Sequence, residues 1–380
     1  MTPLARCILL ALGLLQCRSA SKPASLSASP ALPAPVSAQA QLERAAAPRS
    51  LTIASWNLDW LNRRAQRGPV RRGPADYQRL QRYAQRLRAD VIAVQEVDGA
   101  EALQQVFAPD EYEYHVTSQR DVQRVGFAYR KGLLVERHPD LTALDVGGLR
   151  VGADLTVHVN GEALRLLAVH LKSGCFAAPL SSPRAACVKL QAQLPVLERW
   201  IDDRARAGEA FLVLGDFNRR LNARDPFYAE LDDGEPPNAD LSLLGEGHAS
   251  RCWGGKYPEF IDHLLLSRDA AAWLQPNSFA ELGYDDADAP FRSKLSDHCP
   301  IEVVLTPGVR AAPAPVPAPT AAAPPPIKGN INARHQKLYH LPGCPSYAET
   351  RIDESRGERL FATESEAIAA GWQRAAGCRR

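Results

Sequence analysis

Between Leu51 and Leu305 the sequence returns seven times to a short apolar run: LTIASW, DVIAVQEV, VGFAYR, LRLLAVHL, FLVLGDF, FIDHLLL and IEVVL. Each is five to eight residues long, the length of a strand rather than of a core helix. Between several of them lie stretches with helical periodicity, such as YQRLQRYAQRLR and KLQAQLPVLERWIDDRARAG. The mixture predicts an α/β sandwich with strands inside and helices outside. No internal repeat is evident.

The flanks read differently. The 380-residue chain is 45% hydrophobic and 23% charged, with a net charge of +2. These are values of an ordinary globular protein and leave its partner open. The start, MTPLARCILLALGLLQC, carries Arg6 and then an apolar stretch from Cys7 to Leu15. That stretch is too short to span a bilayer, and predicts a secretory signal over residues 1–20. LLQC resembles an imperfect bacterial lipobox, with Gln16 where a small residue is expected, and would make Cys17 a lipid anchor. Ala38-Gln39-Ala40 offers a conventional cleavage site instead.

Residues 21–49, rich in Ala, Pro and Ser, are expected to be a disordered tether. Residues 307–326 hold eight prolines among alanines, a spacer that in polyproline II geometry would reach roughly 60 Å. It separates a main domain, 50–306, from a small C-terminal unit, 327–380. The expected location is secreted or periplasmic, or the outer membrane if Cys17 is lipidated. A monomer is expected, with no protein partner implied.

Of eight cysteines, Cys7 and Cys17 lie in the leader, leaving six. An even set in an exported chain reads as a disulfide framework. Cys175 with Cys187, and Cys344 with Cys378, each fall inside one structural unit. Cys252 with Cys299 would follow, unless Cys299 is a small buried thiol.

Several apolar runs end in residues that carry chemistry. SWNLDW has Asn57 and Asp59, VIAVQEVDG has Glu96, LLAVHLKSG has His170 and Lys172, and FLVLGDFN has Asp216 and Asn218. Asp262 and His263 follow in FIDHLLL, then Ser296, Asp297 and His298 in LSDHCP. Side chains two apart on a strand share a face, so Asp216 and Asn218 are expected together at the end of a buried strand. Taken singly, each has a plain structural reading: an Asp-x-Asn turn, a solvated Glu, a hydrogen-bonded His. The repetition shifts the balance. Burying so many carboxylates, amides and imidazoles is costly unless they satisfy one another or a metal ion. Hard oxygen donors suit Mg²⁺, Mn²⁺ or Ca²⁺. No His-x-x-x-His or Cys-x-x-Cys spacing points to zinc in this domain, and no Ser or Cys elbow points to an acyl-enzyme.

The ordered set SWNLD, QEV, HLKS, GDFN, IDH and SDH resembles the endonuclease/exonuclease/phosphatase (deoxyribonuclease I-like) superfamily over essentially all of residues 50–306. The resemblance implies a four-layer sandwich: two mixed sheets packed face to face and flanked by helices, with the site where both sheets end. It also implies roles. Glu96 would be the principal metal ligand, supported by Asn57, Asp59 and Asp297. His298, oriented by Asp262, would accept a proton from the attacking water, with Asp216 the competing base. Asn218 would hydrogen-bond the scissile phosphate. His170 would be the general acid at the leaving oxygen or a phosphate contact, with Lys172 nearby. Water would attack phosphorus directly, without a covalent intermediate. A cation would offset charge on the equatorial oxygens, and an imidazole, with an ordinary pKa of about 6.5, would move the proton. Histidine at 170 departs from the abasic-site repair branch, which usually has tyrosine there; so does the secretion signal.

The superfamily cuts nucleic acids, sphingomyelin and inositol phosphates, so the resemblance leaves the substrate open. Nine arginines and one acidic residue, Asp76, lie between Arg63 and Arg88. The helical part, Tyr77 to Arg88, reads about equally well as a solvated face. The looser RRAQRGPVRRGP reads as a phosphate contact through Arg63, Arg64, Arg71 and Arg72. No long aromatic or apolar hairpin suited to a bilayer is evident. Nucleic acid, with DNA ahead of RNA, is therefore the expected substrate. The alternatives are a phospholipid or inositol-phosphate phosphoesterase and a catalytically silent binding protein. Residues Glu230 to Ala249 read as a surface loop.

At the C-terminus, IKGNINARHQKLYHLPGCPSY and GERLFATESEAIAAGWQRA are similar to a small domain found at the ends of bacterial secreted nucleases, and to the zinc module of the Ada DNA-repair protein. The expectation is a small α+β unit, a short hairpin plus a helix opened by Thr363, with Glu366 completing a capping box. Cys344 and Cys378 would form a disulfide or, with His335 or His340, part of a zinc site. The Ada-like module needs more cysteines than remain, which favours the disulfide. Its role would be substrate or surface binding through the tether, or stability alone.

Overall fold

The computed structural model describes residues 48–119, 122–310 and 326–378. The predicted signal segment with Cys17, the Ala38–Ala40 site, most of the tether and most of the Pro-rich spacer lie outside the described residues. No helix among the described residues is long and apolar enough to cross a membrane.

The first sheet is built on β1 (Leu51–Leu61) and β2 (Val91–Val97), which run parallel and are joined through helix α1 (Pro74–Leu87). Adding β3 (Tyr112–Val116), β4 (Arg124–Arg130), β11 (Ala280–Glu281) and β12 (Ile301–Leu305) gives the order β11-β12-β1-β2-β4-β3. The second sheet is built on a parallel pair, β7 (Glu162–His170) and β8 (Ala210–Asp216), joined through helix α2 (Ala185–Arg206). With β5 (Leu134–Arg137), β6 (Ala153–Val159), β9 (Leu241–Leu243) and β10 (Asp262–Ser267) its order is β5-β6-β7-β8-β10-β9.

The apolar runs lack strict alternation because both faces of each sheet are covered. In β1, Leu51 and Ile53 face the other sheet, while Ala54 and Trp56 face the α1 layer. In β8, Leu212 and Leu214 join the inter-sheet core, and Phe211 and Val213 pack under α2. Four layers result, as the resemblance implied. Helix α1 buries Tyr77, Leu80, Tyr83, Ala84 and Leu87 at helical spacing; Pro74 opens it and Asp76 accepts from Gly73 N at 2.9 Å.

All three disulfides have the expected pairing: Cys175–Cys187, Cys252–Cys299 and Cys344–Cys378. Cys299 is thus a disulfide partner and not a free buried thiol. The C-terminal unit is more than a hairpin and a helix. Strands β13 (Ile327–Ile331), β14 (Lys337–His340), β15 (Arg359–Phe361) and β16 (Gln373–Arg374) form a sheet in the order β15-β13-β14-β16. Thr363 caps the helix Glu364–Ala369, but Glu366 reaches back to Ala362 N at 3.0 Å, one residue before the cap. Both ring nitrogens of His340 are engaged, by Ser346 Oγ at 2.8 Å and Asn330 Oδ1 at 2.9 Å. With both cysteines oxidised, this leaves no zinc set in the unit among its described residues.

Candidate active site

Strand register brings the polar termini together. His170 of β7 pairs with Asp216 of β8, and Asp216 pairs in turn with Asp262 of β10. These three residues therefore form one row across the end of the second sheet. Facing them across the inter-sheet core, Asn57 of β1 pairs with Gln95 of β2, one residue before Glu96. Ser296 Oγ donates to Asn57 O at 2.7 Å and ties the segment before β12, which carries His298, to the same rim.

Side-chain contacts close the cluster. Asn57 Nδ2 donates to Asp216 Oδ2 at 3.1 Å and lies 3.5 Å from Glu96 Oε1. His170 Nε2 lies 3.4 Å from Asp216 Oδ2 and 3.7 Å from Glu96 Oε1. His298 Nδ1 donates to Asp262 Oδ2 at 2.6 Å, and its Nε2 lies 3.8 Å from Asp216 Oδ2. Asn218 Nδ2 donates to both Asp216 Oδ2 at 3.0 Å and Leu171 O at 3.2 Å, so its two amide hydrogens are engaged. Glu96, His170, Asp216, Asn218 and His298 line a cleft of about 250 Å³ together with Asp59, Trp60, Gln123, Arg150 and Asp297. A larger cleft, about 620 Å³, opens at the other end of β7 and β8 beside Glu162 and Ala210, away from these groups.

The rim is backbone-strained. Asp59, Trp60, Glu96 and Asn218 all have left-handed φ, between 46° and 59°, a conformation that costs non-glycine residues free energy and gathers at functional sites. It turns Glu96 so that Oε2 accepts from Trp60 N at 3.2 Å. Asn218 therefore reaches Asp216 through a turn after β8, and not by simple strand alternation.

Electrostatics divide the two histidines. Burial pushes His170 well below its ordinary value, with Arg150, His298 and Lys172 adding repulsion, so its imidazole is neutral. Burial acts on His298 the same way, but Asp262 and Asp216 outweigh it and hold the imidazolium well above the ordinary value. Asp216 is pushed up to about 7, first by burial and then against the pull of His298. Burial and Asp297 push Asp59 up to about 6.

The remaining predicted residues lie differently. Asp297 is at the mouth, its side chain 67% exposed and 3.9 Å from His298 Nε2. Lys172 turns aside to donate to Ser173 O at 2.7 Å; the cation lining the cleft is Arg150, whose guanidinium donates to Leu171 O at 2.6 Å. Arg72 is a correction. It is buried and donates to Lys294 O at 2.8 Å, to Leu58 O at 3.0 Å and to Leu295 O, satisfying carbonyls of irregular chain and leaving no route to a phosphate. Arg63 pairs with Asp98 at 3.3 Å. Arg64, Arg67 and Arg71 are exposed and have no acidic partner among the described residues. Arg150 and Gln123 escaped sequence reasoning because each sits in irregular chain with no motif around it.

The sequence matches the model of the Endonuclease/Exonuclease/phosphatase family over residues 54–298. No curated protein matches the chain. Similar solved structures include humanized D. rerio TDP2 with 14 mutations, at 20% identity and TM-score 0.48, over 67% of this chain and 98% of that one. The human Nocturnin catalytic domain with bound sulfate is 14% identical, TM-score 0.45, over 67% and 93% of the two chains. The endonuclease/exonuclease/phosphatase from Bacteroides vulgatus is 15% identical, TM-score 0.46, over 68% and 98%. With the matched residues spanning every strand-end motif of the cleft, the chain belongs to the endonuclease/exonuclease/phosphatase family.

Proposed function

We propose that the protein is an exported phosphodiesterase that hydrolyses nucleic acid with a divalent cation, by direct attack of water on phosphorus. The observation that supports this most is the convergence of Asn57, Glu96, His170, Asp216 and His298 in one contact cluster, from segments that are distant in sequence. The donor set fits a hard cation: carboxylate and amide oxygens, with no thiolate among them. Glu96 and Asn57 would hold Mg²⁺ or Mn²⁺, with Asp59 and Asp297 at the mouth. Such an ion supplies charge neutralisation at the phosphoryl oxygens.

The protein's own groups do the rest. Two groups can take the proton of the attacking water: Asp216, or, on the same side, His298 once it has given up its own Nε2 proton, held in one orientation by Asp262. His170, neutral, presents an N–H to the phosphate or the leaving oxygen. Asn218 positions Asp216, and one of its N–H groups can turn to the phosphate when substrate displaces that contact. Exposed Arg64, Arg67 and Arg71 suit a polyanion. Three disulfides and the leader favour an oxidising compartment.

Incubating the purified protein with supercoiled plasmid in Mg²⁺ or EDTA, and in parallel with sphingomyelin, tests the reading. Nicking that depends on Mg²⁺, without sphingomyelin turnover, is expected. Turnover of sphingomyelin alone would move the protein to the lipid class.

A further inference from the structure

A second cleft, about 350 Å³, adjoins the candidate site and shares Phe176, Ile261, Asp297 and His298 with it. Its walls are Phe176, Trp253, Tyr257 and Phe260, edged by Arg220 and Arg292. Phe176 is 40% exposed and Tyr257 59%, so two large rings meet water beside a site built for a charged group. Trp253 is held in place: its ring stacks on Tyr284 with centroids 4.5 Å apart, and Nε1 donates to Ser296 O at 2.8 Å. Each loop is stapled next to its aromatic residue. Cys175–Cys187 lies beside Phe176, and Cys252–Cys299 joins the residue before Trp253 to the residue after His298. Arg220 N also donates to Phe176 O at 2.8 Å. Phe176 and Trp253 are thus preorganised with respect to His298.

We propose that this cleft is a subsite for one unpaired nucleobase, that of the nucleotide joined to the phosphate under attack. Single-stranded or locally opened nucleic acid is then the preferred substrate over intact duplex. The inference rests on the phosphodiesterase reading and specifies its substrate. The volume lies at the lower end of small-molecule sites, which suits a nucleoside. Aromatic side chains bind bases by stacking on their faces, a contact available only to a base out of the duplex stack. Arg220 and Arg292 can contact adjoining phosphates or the ring face. The loose Arg220–Glu259 pair, 3.7 Å apart with both side chains exposed, does not withhold Arg220. Charged edges, including Glu259 and Glu281, argue against an acyl chain. Glu281 already accepts from Ser250 Oγ at 2.6 Å and Arg251 N at 2.7 Å, leaving little to read base edges, so the subsite is tolerant of base identity.

Calorimetric titration of the full chain in EDTA, with a nucleoside 5′-monophosphate and with ribose 5-phosphate, isolates binding from turnover. The nucleotide should bind at least about tenfold more tightly, the equivalent of ~1.4 kcal/mol. That preference should vanish in Phe176→Ala and Tyr257→Ala and persist in Tyr257→Phe. Equal affinities in the unaltered protein, or a preference untouched by both alanine substitutions, overturns the subsite. Cleavage of matched single-stranded and duplex oligonucleotides in Mg²⁺ separates the two readings. Equal or faster duplex cleavage, unchanged in the alanine variants, removes the subsite and leaves the phosphodiesterase. Preferential nucleotide binding with no cleavage of any diester retains the subsite and removes the phosphodiesterase.

Discussion

At the scale of the residue, Asp262 does for His298 what no distant group could: it accepts the Nδ1–H hydrogen bond at 2.6 Å and leaves Nε2 turned to the cleft. Asp262→Asn should keep the fold and lower turnover of phosphodiester by about 100-fold or more, with an unchanged circular dichroism spectrum as control. Glu96 is distinct, since under the proposed function its part is to hold the cation. Mg²⁺ should raise the melting temperature of the unaltered protein through linkage, and Glu96→Gln should lose most of that rise while melting normally without the ion. Most of these residues were legible in the chain order of the motifs. Arg150 was not, because nothing in LRVG announces that its guanidinium will lie beside His170. Lys172 stays near enough to His170 to repel its charged form, but its ammonium donates to Ser173 O and does not line the cleft.

At the scale of the element, β8 depends on one glycine. Gly215 has φ 142°, and a Cβ there would stand 2.0 Å from Val169 O of the neighbouring strand. Gly215→Ala should destabilise the protein by about 4 kcal/mol or more, read as the shift in denaturant midpoint, because β7 and β8 must part to admit the methyl group. Helix α2 carries the opposite kind of strain. Burial pushes Glu198 up to about 7, with Asp202, Asp233 and Glu230 adding repulsion. An ordinary glutamate titrates at 4.5. The native state therefore holds this proton more tightly, and the stability it confers is complete below the unfolded value and lost as pH rises through about 7. Glu198→Gln should consequently melt higher than the unaltered protein above pH 7, by about 1 kcal/mol after allowing for partial exposure, and the difference should close towards about pH 4. Helix α1 shows how an arginine-rich face can be structural. Arg79 and Arg82 pair with Asp288, and Arg86 with Asp285, so the solvated-face reading of that helix becomes an inter-element contact.

At the scale of the whole molecule, the nine arginines between Arg63 and Arg88 divide into those the fold consumes and those it leaves outside. Changing Arg64, Arg67 and Arg71 to Glu should weaken DNA binding in EDTA across all sequences. It should also flatten the dependence of log K on log salt by about 0.7–0.9 for each phosphate that is no longer neutralised. Fluorescence anisotropy over a salt series measures this; an unmoved slope would make the segment mere solvated surface. Arg72→Ala belongs to a different class, and should lower thermal stability through its three unpaired carbonyls.

The chain alone determined its layers and the set of polar groups that end its strands. Runs apolar on both alternating sets of positions call for cover on both faces, and the carboxylates, amides and imidazoles that end them are too costly to bury apart. Register and backbone turns decided the rest. A parallel pairing sets His170 beside Asp216, left-handed residues aim Glu96 and Asn218, and folding selects which arginines keep their charge in water. These are choices among contacts between residues far apart in sequence, and their energies exist only after the strands have met.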